Sequence, residues 1–347
     1  VPDDAEVGIH ERWIFITPRS DLEHRGATFP AGSLLVGELD GFIAGTAALT
    51  TLFEPTATAA LAGFACTRHR VVIDVLDDVR NVLSVATPPG ESTGELTGEW
   101  HVEPLSGVPD VWTLSASAVD GEESDDIWLV GTDFVTPETL YVMSLDDGGG
   151  GGAPELLRQA PHRFDAGDDA IEQHFATSAD GTRVPYFVVG KRDALATTDG
   201  SGPTLLTGYG GFEVPRAAAY SAVVGRSWLV EGGVYVLANI RGGGEYGPAW
   251  HRAGLREKRP RVYEDFEAVA RAIIDRGLTS PERLGISGGS NGGLLVGNMY
   301  VRTPELFGAV VCQVPLLDMA RYHLLLAGAS WMAEYGDPDD PGDWRYL

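Results

Sequence analysis

The sequence is poor in cysteine, in lysine and in long apolar runs, and each shortage argues against a class of protein. Two cysteines, Cys66 and Cys312, are too few for the disulfide framework of a small secreted domain, so we expect a cytoplasmic location. No apolar stretch approaches the roughly 18 residues of a membrane span, so we expect no membrane partner. Residues 1–20 show no signal peptide, but the chain opens at Val1 and not at Met, so we expect an upstream segment to be missing.

Basic residues are also scarce. The 25 lysines and arginines face 50 aspartates and glutamates, which gives a formal net charge of -25. So negative a surface repels phosphate backbones, and we expect no nucleic-acid partner. The sequence also lacks an H-E-x-x-H pattern and a complete dinucleotide-binding fingerprint. We therefore expect no metal and no organic cofactor.

Residues 1 to about 165 consist of short alternating or β-branched runs separated by turn residues. This spacing is typical of an all-β sandwich, barrel or propeller. We predict strands at residues 13–17, 33–38, 70–75, 81–86, 111–116, 127–132 and 139–144. Residues 146–152, which end in five consecutive glycines, predict a surface loop or a hairpin tip.

After about residue 170 apolar runs alternate with segments of helical spacing. The runs are mostly continuous, as expected for parallel strands buried on both faces, and lie at residues 184–190, 204–208, 233–239, 284–287 and 309–314. The predicted helices are residues 217–231, 263–276, 291–303 and 319–333. This alternation is typical of a doubly wound α/β sheet. Since 347 residues are enough for two cores, we expect two domains, residues 1–165 and 166–347.

The pattern G-x-S-x-G occurs at residues 288–292 and centres on Ser290. It lies between a predicted strand and a predicted helix, which is the context of a nucleophile elbow. The bend is so tight that its neighbours must lack side chains, and Gly288 and Gly292 meet this need. We therefore predict that Ser290 is a nucleophile at the carboxyl edge of the sheet, beside a helix N-terminus that favours negative charge. The alternative is a glycine-rich turn with an incidental serine.

A serine that attacks an acyl group needs donors for the developing oxyanion. The backbone N–H of Asn291 is the expected first donor, because the residue after the nucleophile normally supplies it. A second donor is expected in the loop after the strand ending near Gly208, where the sequence reads GYGGF. We predict that the hydroxyl of Tyr209 is this donor; a packed aromatic side chain beside a tight turn is the alternative.

Three segments resemble, in order and spacing, those of the prolyl oligopeptidase family of serine peptidases. They are residues 208–212 (GYGGF), 238–247 (ANIRGGGEYG) and 288–293 (GGSNGG). Asn291 favours the prolyl branch over the similar oligopeptidase B branch, which typically has alanine after the nucleophile. The resemblance implies an α/β-hydrolase domain, a doubly wound sheet incomplete at its C-terminal side. An all-β partial β-propeller of about three blades is expected to precede it.

The resemblance also implies a pocket that accepts proline. Trp331 matches the indole that stacks on the proline ring, and Phe212, Tyr335 and Leu316 match further walls of the pocket. A flat apolar ring without an N–H is best recognised by aromatic faces. The implied partners are short, proline-containing peptides, because the propeller of the family excludes folded proteins. Each of these four side chains is also compatible with an ordinary core.

Asp318 and His323 follow Ser290 in the order of an α/β-hydrolase triad. They are only five residues apart, whereas the acid and the histidine follow successive parallel strands, whose crossover needs a dozen or more residues. We therefore expect neither to be catalytic. The family places its acid and histidine later, so we expect them beyond Leu347. This chain alone then lacks the triad Asp and His and is expected to be a very poor peptidase.

The favoured interpretation is a serine-type endopeptidase that cleaves short peptides after proline through an acyl-enzyme at Ser290. A second interpretation is an oligopeptidase B-like or acylaminoacyl-type peptidase, or an esterase, of the same fold. A third is a non-catalytic remnant of propeller and hydrolase that acts as a binding module.

Overall fold

The computed structural model of the protein describes residues 1–92, 95–145 and 152–347. The glycine-rich loop predicted at residues 146–152 therefore lies outside the described residues except at its last position. The chain divides into two compact units. Unit 1 comprises Val1–Pro161, Ala217–Tyr220 and Tyr246–Pro248, and unit 2 comprises His162–Arg216, Ser221–Glu245 and Ala249–Leu347. None of the helices within the described ranges has the length and apolarity needed to cross a membrane.

The described residues of unit 1 form mainly short strands, together with the five-residue helix α1 (Leu39–Ile43). The strands are β1 (Glu6–His10), β2 (Trp13–Thr17), β3 (Leu22–His24), β4 (Ala27–Phe29), β5 (Leu34–Glu38), β6 (Thr50–Phe53), β7 (Ala59–Cys66), β8 (Val71–Asp77), β9 (Arg80–Thr87), β10 (Gly90–Ser92), β11 (Glu95–Thr97), β12 (His101–Pro104), β13 (Thr113–Ala118), β14 (Asp126–Thr132), β15 (Thr139–Ser144) and β16 (Glu155–Gln159). The seven strands predicted in this part are confirmed as β2, β5, β8, β9, β13, β14 and β15.

Most of these strands form four-stranded antiparallel sheets, in the orders β1-β2-β5-β6, β12-β9-β8-β7 and β13-β14-β15-β16. Each sheet has the size of one propeller blade. The first two share an apolar cluster in which Phe15 of β2 and Ile73 of β8 are fully buried. A second cluster joins Val85 of β9 to Ile127 and Leu129 of β14. Consecutive sheets therefore pack on one another through apolar side chains.

Unit 2 is built on one six-stranded mixed sheet in the order β17-β18-β20-β19-β21-β22. Its strands are β17 (Asp169–Thr177), β18 (Arg183–Lys191), β19 (Thr204–Gly208), β20 (Val234–Ala238), β21 (Leu284–Gly289) and β22 (Ala309–Gln313). The α-helices of the second half of the chain are α2 (Arg192–Leu195), α3 (Ala222–Val224), α4 (Gly247–Arg252), α5 (Pro260–Asp275), α6 (Asn291–Arg302) and α7 (Met332–Tyr335). Short 3-10 turns lie at Arg256–Lys258, Pro281–Arg283, Pro304–Leu306, Tyr322–Leu324, Gly328–Trp331 and Asp343–Arg345, and a π-helical turn at Gly225–Leu229.

The core of unit 2 lies between the sheet and the two long helices. Val236 of β20, Ile286 of β21, Phe266 of α5 and Leu295 of α6 belong to one cluster, and all four are fully buried. The strands β20, β19, β21 and β22 are parallel. Because their carboxyl ends lie at one edge of the sheet, the loops after β19 and β21 begin side by side.

Three sequence-based predictions for unit 2 are corrected by the structure. Strand β18 is antiparallel to β17 and β20; it is buried on both faces, so its apolar run does not reveal its direction. The helix predicted at 217–231 shrinks to α3 and the π-helical turn, where Gly225 packs directly on the Phe164 ring. The helix predicted at 319–333 is replaced by 3-10 turns and α7, since Gly328 lies against the carbonyl of Tyr322 and leaves no room for a side chain.

A buried ion pair ties the end of β20 to α5. The backbone N–H and Nε of Arg241 donate to Oδ2 of Asp265 at 3.0 and 2.9 Å, and Ser178 Oγ donates to Oδ1 at 2.6 Å. Asp265 is fully buried. Nη1 of Arg241 also donates to Asp180 at 2.6 Å, which lowers the pKa of the Asp180 carboxyl. Each charged side chain in this group is therefore stabilised by a partner of opposite charge.

Replacement of Arg241 by methionine is expected to destabilise the protein by about 3–5 kcal/mol, because it leaves the Asp265 carboxylate buried and unpaired. Arg271→Met is the matched control, since Arg271 forms an exposed i,i+4 pair with Glu267 at 2.7 Å and should contribute at most about 0.5 kcal/mol. Equilibrium unfolding in urea measures both. Similar losses of unfolding free energy for the two variants would contradict a structural role for the buried pair.

Candidate active site

Ser290 lies at the junction of β21 and α6, at the carboxyl edge of the sheet. Its backbone is in a left-handed conformation, with φ 58° and ψ -121°, which few non-glycine residues adopt. The residue is exposed, and its N–H donates to the carbonyl of Gln313, the last residue of β22, at 3.1 Å. The predicted strand–bend–helix context of Ser290 is therefore present, with the serine side chain at the surface.

Glycines make this bend possible. A Cβ at Gly288 would overlap the carbonyl oxygen of Gly292, and one at Gly292 would lie 3.0 Å from the carbonyl oxygen of Gly208. At Gly293 a Cβ would lie 2.6 Å from the carbonyl oxygen of Gln313. Gly289 is different, because the nearest atom to an added Cβ is 3.9 Å away. Gly288 and Gly293 are thus required by close backbone approach, and Gly292 has little room for a side chain.

The loop that carries Tyr209 begins at the same edge. Tyr209 directly follows β19, and β19 is the parallel neighbour of β21. The carbonyl oxygen of Tyr209 accepts a hydrogen bond from Nδ2 of Asn291 at 2.6 Å, and a Cβ at Gly292 would lie 3.8 Å from the Tyr209 ring. The two residues predicted to bind an oxyanion, Asn291 and Tyr209, are therefore in direct contact.

The four residues predicted to line a pocket belong to one apolar cluster. Phe212, Leu316 and Trp331 are partly buried and pack against buried Leu294 of α6 and buried Tyr335 of α7. The rings of Phe212 and Tyr335 meet edge to face with centroids 5.6 Å apart. Tyr335 is only 3% exposed. The structure therefore brings all four together, with Tyr335 as the most deeply buried member.

The chain is similar to known peptidases in both sequence and structure. The model of the prolyl oligopeptidase family matches residues 223–346. A protein of Sinorhizobium fredii, named as the uncharacterized peptidase y4nA, is 43% identical over 93% of this chain and 43% of its own length. The prolyl endopeptidase of Elizabethkingia miricola is 37% identical over 74% of this chain and 35% of its own length. The structure of a post-proline cleaving enzyme from Rickettsia typhi superimposes with a TM-score of 0.86 at 36% identity, over the whole of this chain and 48% of that one.

This chain belongs to the prolyl oligopeptidase family.

This structural similarity confirms the predicted fold class, an α/β-hydrolase preceded by propeller strands. The antiparallel sheets of unit 1 and the mixed sheet of unit 2 agree with it. The chain spans less than half the length of the relatives described above. The described residues include all three segments that resemble the family, 208–212, 238–247 and 288–293.

A buried polar group behind the apolar cluster was missed by the sequence analysis. Glu334 Oε1 accepts from the backbone N–H of Phe212 at 3.0 Å, and Oε2 contacts Nε2 of His251 at 2.8 Å. Arg259 donates to Glu334 at 3.3 Å and to Oδ1 of Asn291. No motif marks these residues, because their partners lie 32 to 122 positions away in the sequence.

Asp318 and His323 do not pair with each other. Asp318 forms an exposed ion pair with Arg321, and Nε2 of His323 contacts Oδ2 of Asp339 at 3.2 Å. The ligand atoms of His323, Asp337 and Asp339 lie within 4.8 Å of one another and could hold a metal ion. Asp339 is exposed and already in contact with the imidazole, so a hydrogen bond is sufficient to account for the arrangement.

Glu245 is a second buried acid that no motif revealed. Its Oε1 accepts the backbone N–H of Arg216 at 2.9 Å, whereas Oε2 is buried without a hydrogen-bond partner among the described residues. Burial disfavours the charged form and raises the pKa of this carboxyl to about 7. The carboxyl therefore gains or loses its proton near neutral pH in the folded protein.

Substitution of Gly288 by alanine is expected to destabilise the protein by at least about 2 kcal/mol, because the new methyl group overlaps a backbone carbonyl. Gly289→Ala is the matched control, since it meets only ordinary contact and should change stability by less than about 1 kcal/mol. Thermal unfolding of both variants compares them. The structural account of the bend fails if Gly288→Ala is as stable as Gly289→Ala.

Replacement of Glu245 by glutamine is expected to stabilise the protein increasingly as pH rises. The folded pKa lies above the usual value of 4.5, so the favourable contribution of the wild-type carboxyl is complete below pH 4.5 and is lost as pH rises through about 7. The raised pKa corresponds to a loss of about 3 kcal/mol of folding stability as the pH rises from 4.5 to about 7. Urea unfolding at pH 5 and pH 8 measures the difference, with exposed Glu231→Gln as control. An advantage of Glu245→Gln that is constant or shrinks with pH would contradict the account.

Proposed function

We propose that this chain carries the nucleophile, the oxyanion donors and the proline pocket of a serine endopeptidase that cleaves short peptides after proline. The single observation that supports this most is the position of exposed Ser290. It lies at a strained strand–helix bend beside the Tyr209 loop, at the same sheet edge. Strained backbone of this kind in non-glycine residues is concentrated at active sites.

In the proposed reaction Oγ of Ser290 attacks the carbonyl carbon of the substrate proline and gives its proton to a histidine. The electron pair of the carbonyl moves onto its oxygen, where the N–H of Asn291 and the hydroxyl of Tyr209 stabilise it. Asn291 is the first residue of α6, so its N–H has no acceptor within the helix and lies at the positive end of the dipole. As the intermediate collapses, the histidine gives this proton to the leaving amine, the C–N bond breaks, and an acyl-enzyme remains at Ser290.

The preference for proline is supported by the character of the cluster around Trp331. Its members are aromatic or aliphatic, and they suit a flat ring with no N–H group. Glu334, which precedes the cluster member Tyr335, is 4% exposed and has both oxygens engaged by Phe212, Arg259 and His251. It is not free to pair with an arginine of a substrate, which argues against an oligopeptidase B-like preference.

The general base and its acid are proposed to be residues outside this sequence. Ser290 is followed by a single histidine, His323, whose side chain is 8% exposed and faces Asp339. The proposal also includes a cytoplasmic location, since Cys66 and Cys312 are free thiols. The Rickettsia typhi and Elizabethkingia relatives support peptide cleavage by this family member, because their names describe prolyl or post-proline peptidases.

Cleavage of matched fluorogenic peptides by the complete protein tests the proposal. We expect hydrolysis after proline at least about 100-fold faster than after arginine, and loss of at least about 10⁴-fold in kcat for Ser290→Ala. Ser287→Ala, three residues earlier and within β21, is the control and should leave kcat within about twofold.

Three outcomes would contradict the proposal. Faster cleavage after arginine would favour the basic-specific alternative, and no cleavage by the wild-type protein would favour a binding module. Rapid, full-rate labelling of Ser290 by a fluorophosphonate in the 347-residue chain alone would contradict the external histidine, because an unassisted serine is a weak nucleophile.

A further inference from the structure

The side chain of Asn291 joins the two proposed oxyanion donors to each other. Asn291 is 2% exposed, so its amide is not available to a substrate. Nδ2 instead donates to the carbonyl oxygen of Tyr209 at 2.6 Å. The residue whose backbone N–H is proposed to bind the oxyanion therefore also holds, through its side chain, the residue proposed as the second donor.

Two donors fix the orientation of this amide. Oδ1 of Asn291 accepts from the hydroxyl of Tyr335 at 2.8 Å and from the guanidinium of Arg259. An amide oxygen has two acceptor positions, and both are used here. A flipped amide would place its NH₂ group against these donors, so Nδ2 must face Tyr209.

The Tyr209 loop lies directly on the amide. A Cβ at Gly211 would be 2.6 Å from Nδ2 of Asn291, so only glycine permits this approach. Phe212 and Glu213 both adopt a left-handed backbone, with φ 58° and 57°. Such conformations persist in non-glycine residues only when the surroundings hold them in place. The loop therefore needs external contacts to keep its shape.

Glu334 supplies the contact at the far end of the loop. Its Oε1 accepts the N–H of Phe212 at 3.0 Å and a hydrogen bond from Arg259 at 3.3 Å. Arg259 is 7% exposed and thus links Glu334 to Asn291 inside the protein. His251 contacts Glu334 at 2.8 Å and Glu213 at 3.4 Å, which adds a connection to the end of the loop.

We propose that the side chain of Asn291 is a positioning residue, which sets the Tyr209 hydroxyl for the transition state through the carbonyl of Tyr209, with Arg259 and Tyr335 fixing the amide. This inference rests on the proposed function. The hydrogen bond from Nδ2 of Asn291 positions the Tyr209 hydroxyl, which is needed only when the oxyanion develops. Its loss therefore lowers kcat and leaves KM nearly unchanged.

A double-mutant cycle in the complete protein tests the role. Asn291→Asp keeps the shape of the side chain but removes the donor to Tyr209, and we expect about a 100-fold loss of kcat on a proline peptide, with KM within about threefold. In the Tyr209→Phe background the same substitution should lower kcat by less than about threefold, because the hydroxyl it positions is gone. Asn298→Asp is the matched control; it lies on the same helix, where its Nδ2 donates to the Leu294 carbonyl at 2.9 Å, and should leave kcat within about twofold.

Losses that multiply fully in the double variant, or a loss in KM alone, would overturn the proposal. If Asn291→Asp does not fold, Tyr335→Phe replaces it, since it removes one donor to Oδ1 and keeps the ring. That variant should lose about 3- to 10-fold in kcat alone and less than twofold beside Tyr209→Phe. A wild-type protein that does not cleave proline peptides contradicts the proposed function itself. An active wild type with multiplicative losses contradicts only the role of the Asn291 side chain.

Discussion

The close approach of Gly288 to the carbonyl of Gly292 is the constraint on which the rest of the site depends. It permits a bend so sharp that β21 runs directly into α6, and it holds Ser290 in a left-handed backbone at the surface. The first N–H groups of α6 then face the same edge of the sheet as the serine. The adjacent parallel strand β19 delivers the Tyr209 loop to this edge. One backbone contact thus determines where the nucleophile, the helix dipole and the neighbouring loop meet.

Buried charges then give this edge a fixed shape in a protein with twice as many acidic as basic residues. Arg241 with Asp265 ties the sheet to α5, and Glu334 of α7, paired with Arg259, accepts the N–H of Phe212 in the Tyr209 loop. Desolvation consumes most of the attraction within such pairs, so they add little stability over an apolar core. Their effect is directional, because a guanidinium satisfies several acceptors in one plane. We infer that they fix geometry more than they stabilise the fold.

The sequence predicted the parts of the structure that depend on neighbouring residues. The bend at Ser290 and most strands follow from local glycine spacing and apolar runs. The direction of β18 did not follow, because a strand buried on both faces has the same pattern in either orientation. The helix predicted at 319–333 failed because this segment turns back on itself, which brings Gly328 against the carbonyl of Tyr322. The resemblance led to the aromatic cluster, whereas Arg259, Glu334 and His251 were missed because only the folded chain brings their partners together.

A crystal structure of the complete protein with a proline-containing peptide aldehyde bound to Ser290 tests the central claim most directly. The account predicts a covalent bond from Oγ, with the hemiacetal oxygen within about 3.1 Å of both the Asn291 N–H and the Tyr209 hydroxyl, and the proline ring against Trp331. An adduct oxygen directed away from Tyr209, or a proline ring outside the Trp331 cluster, would contradict it.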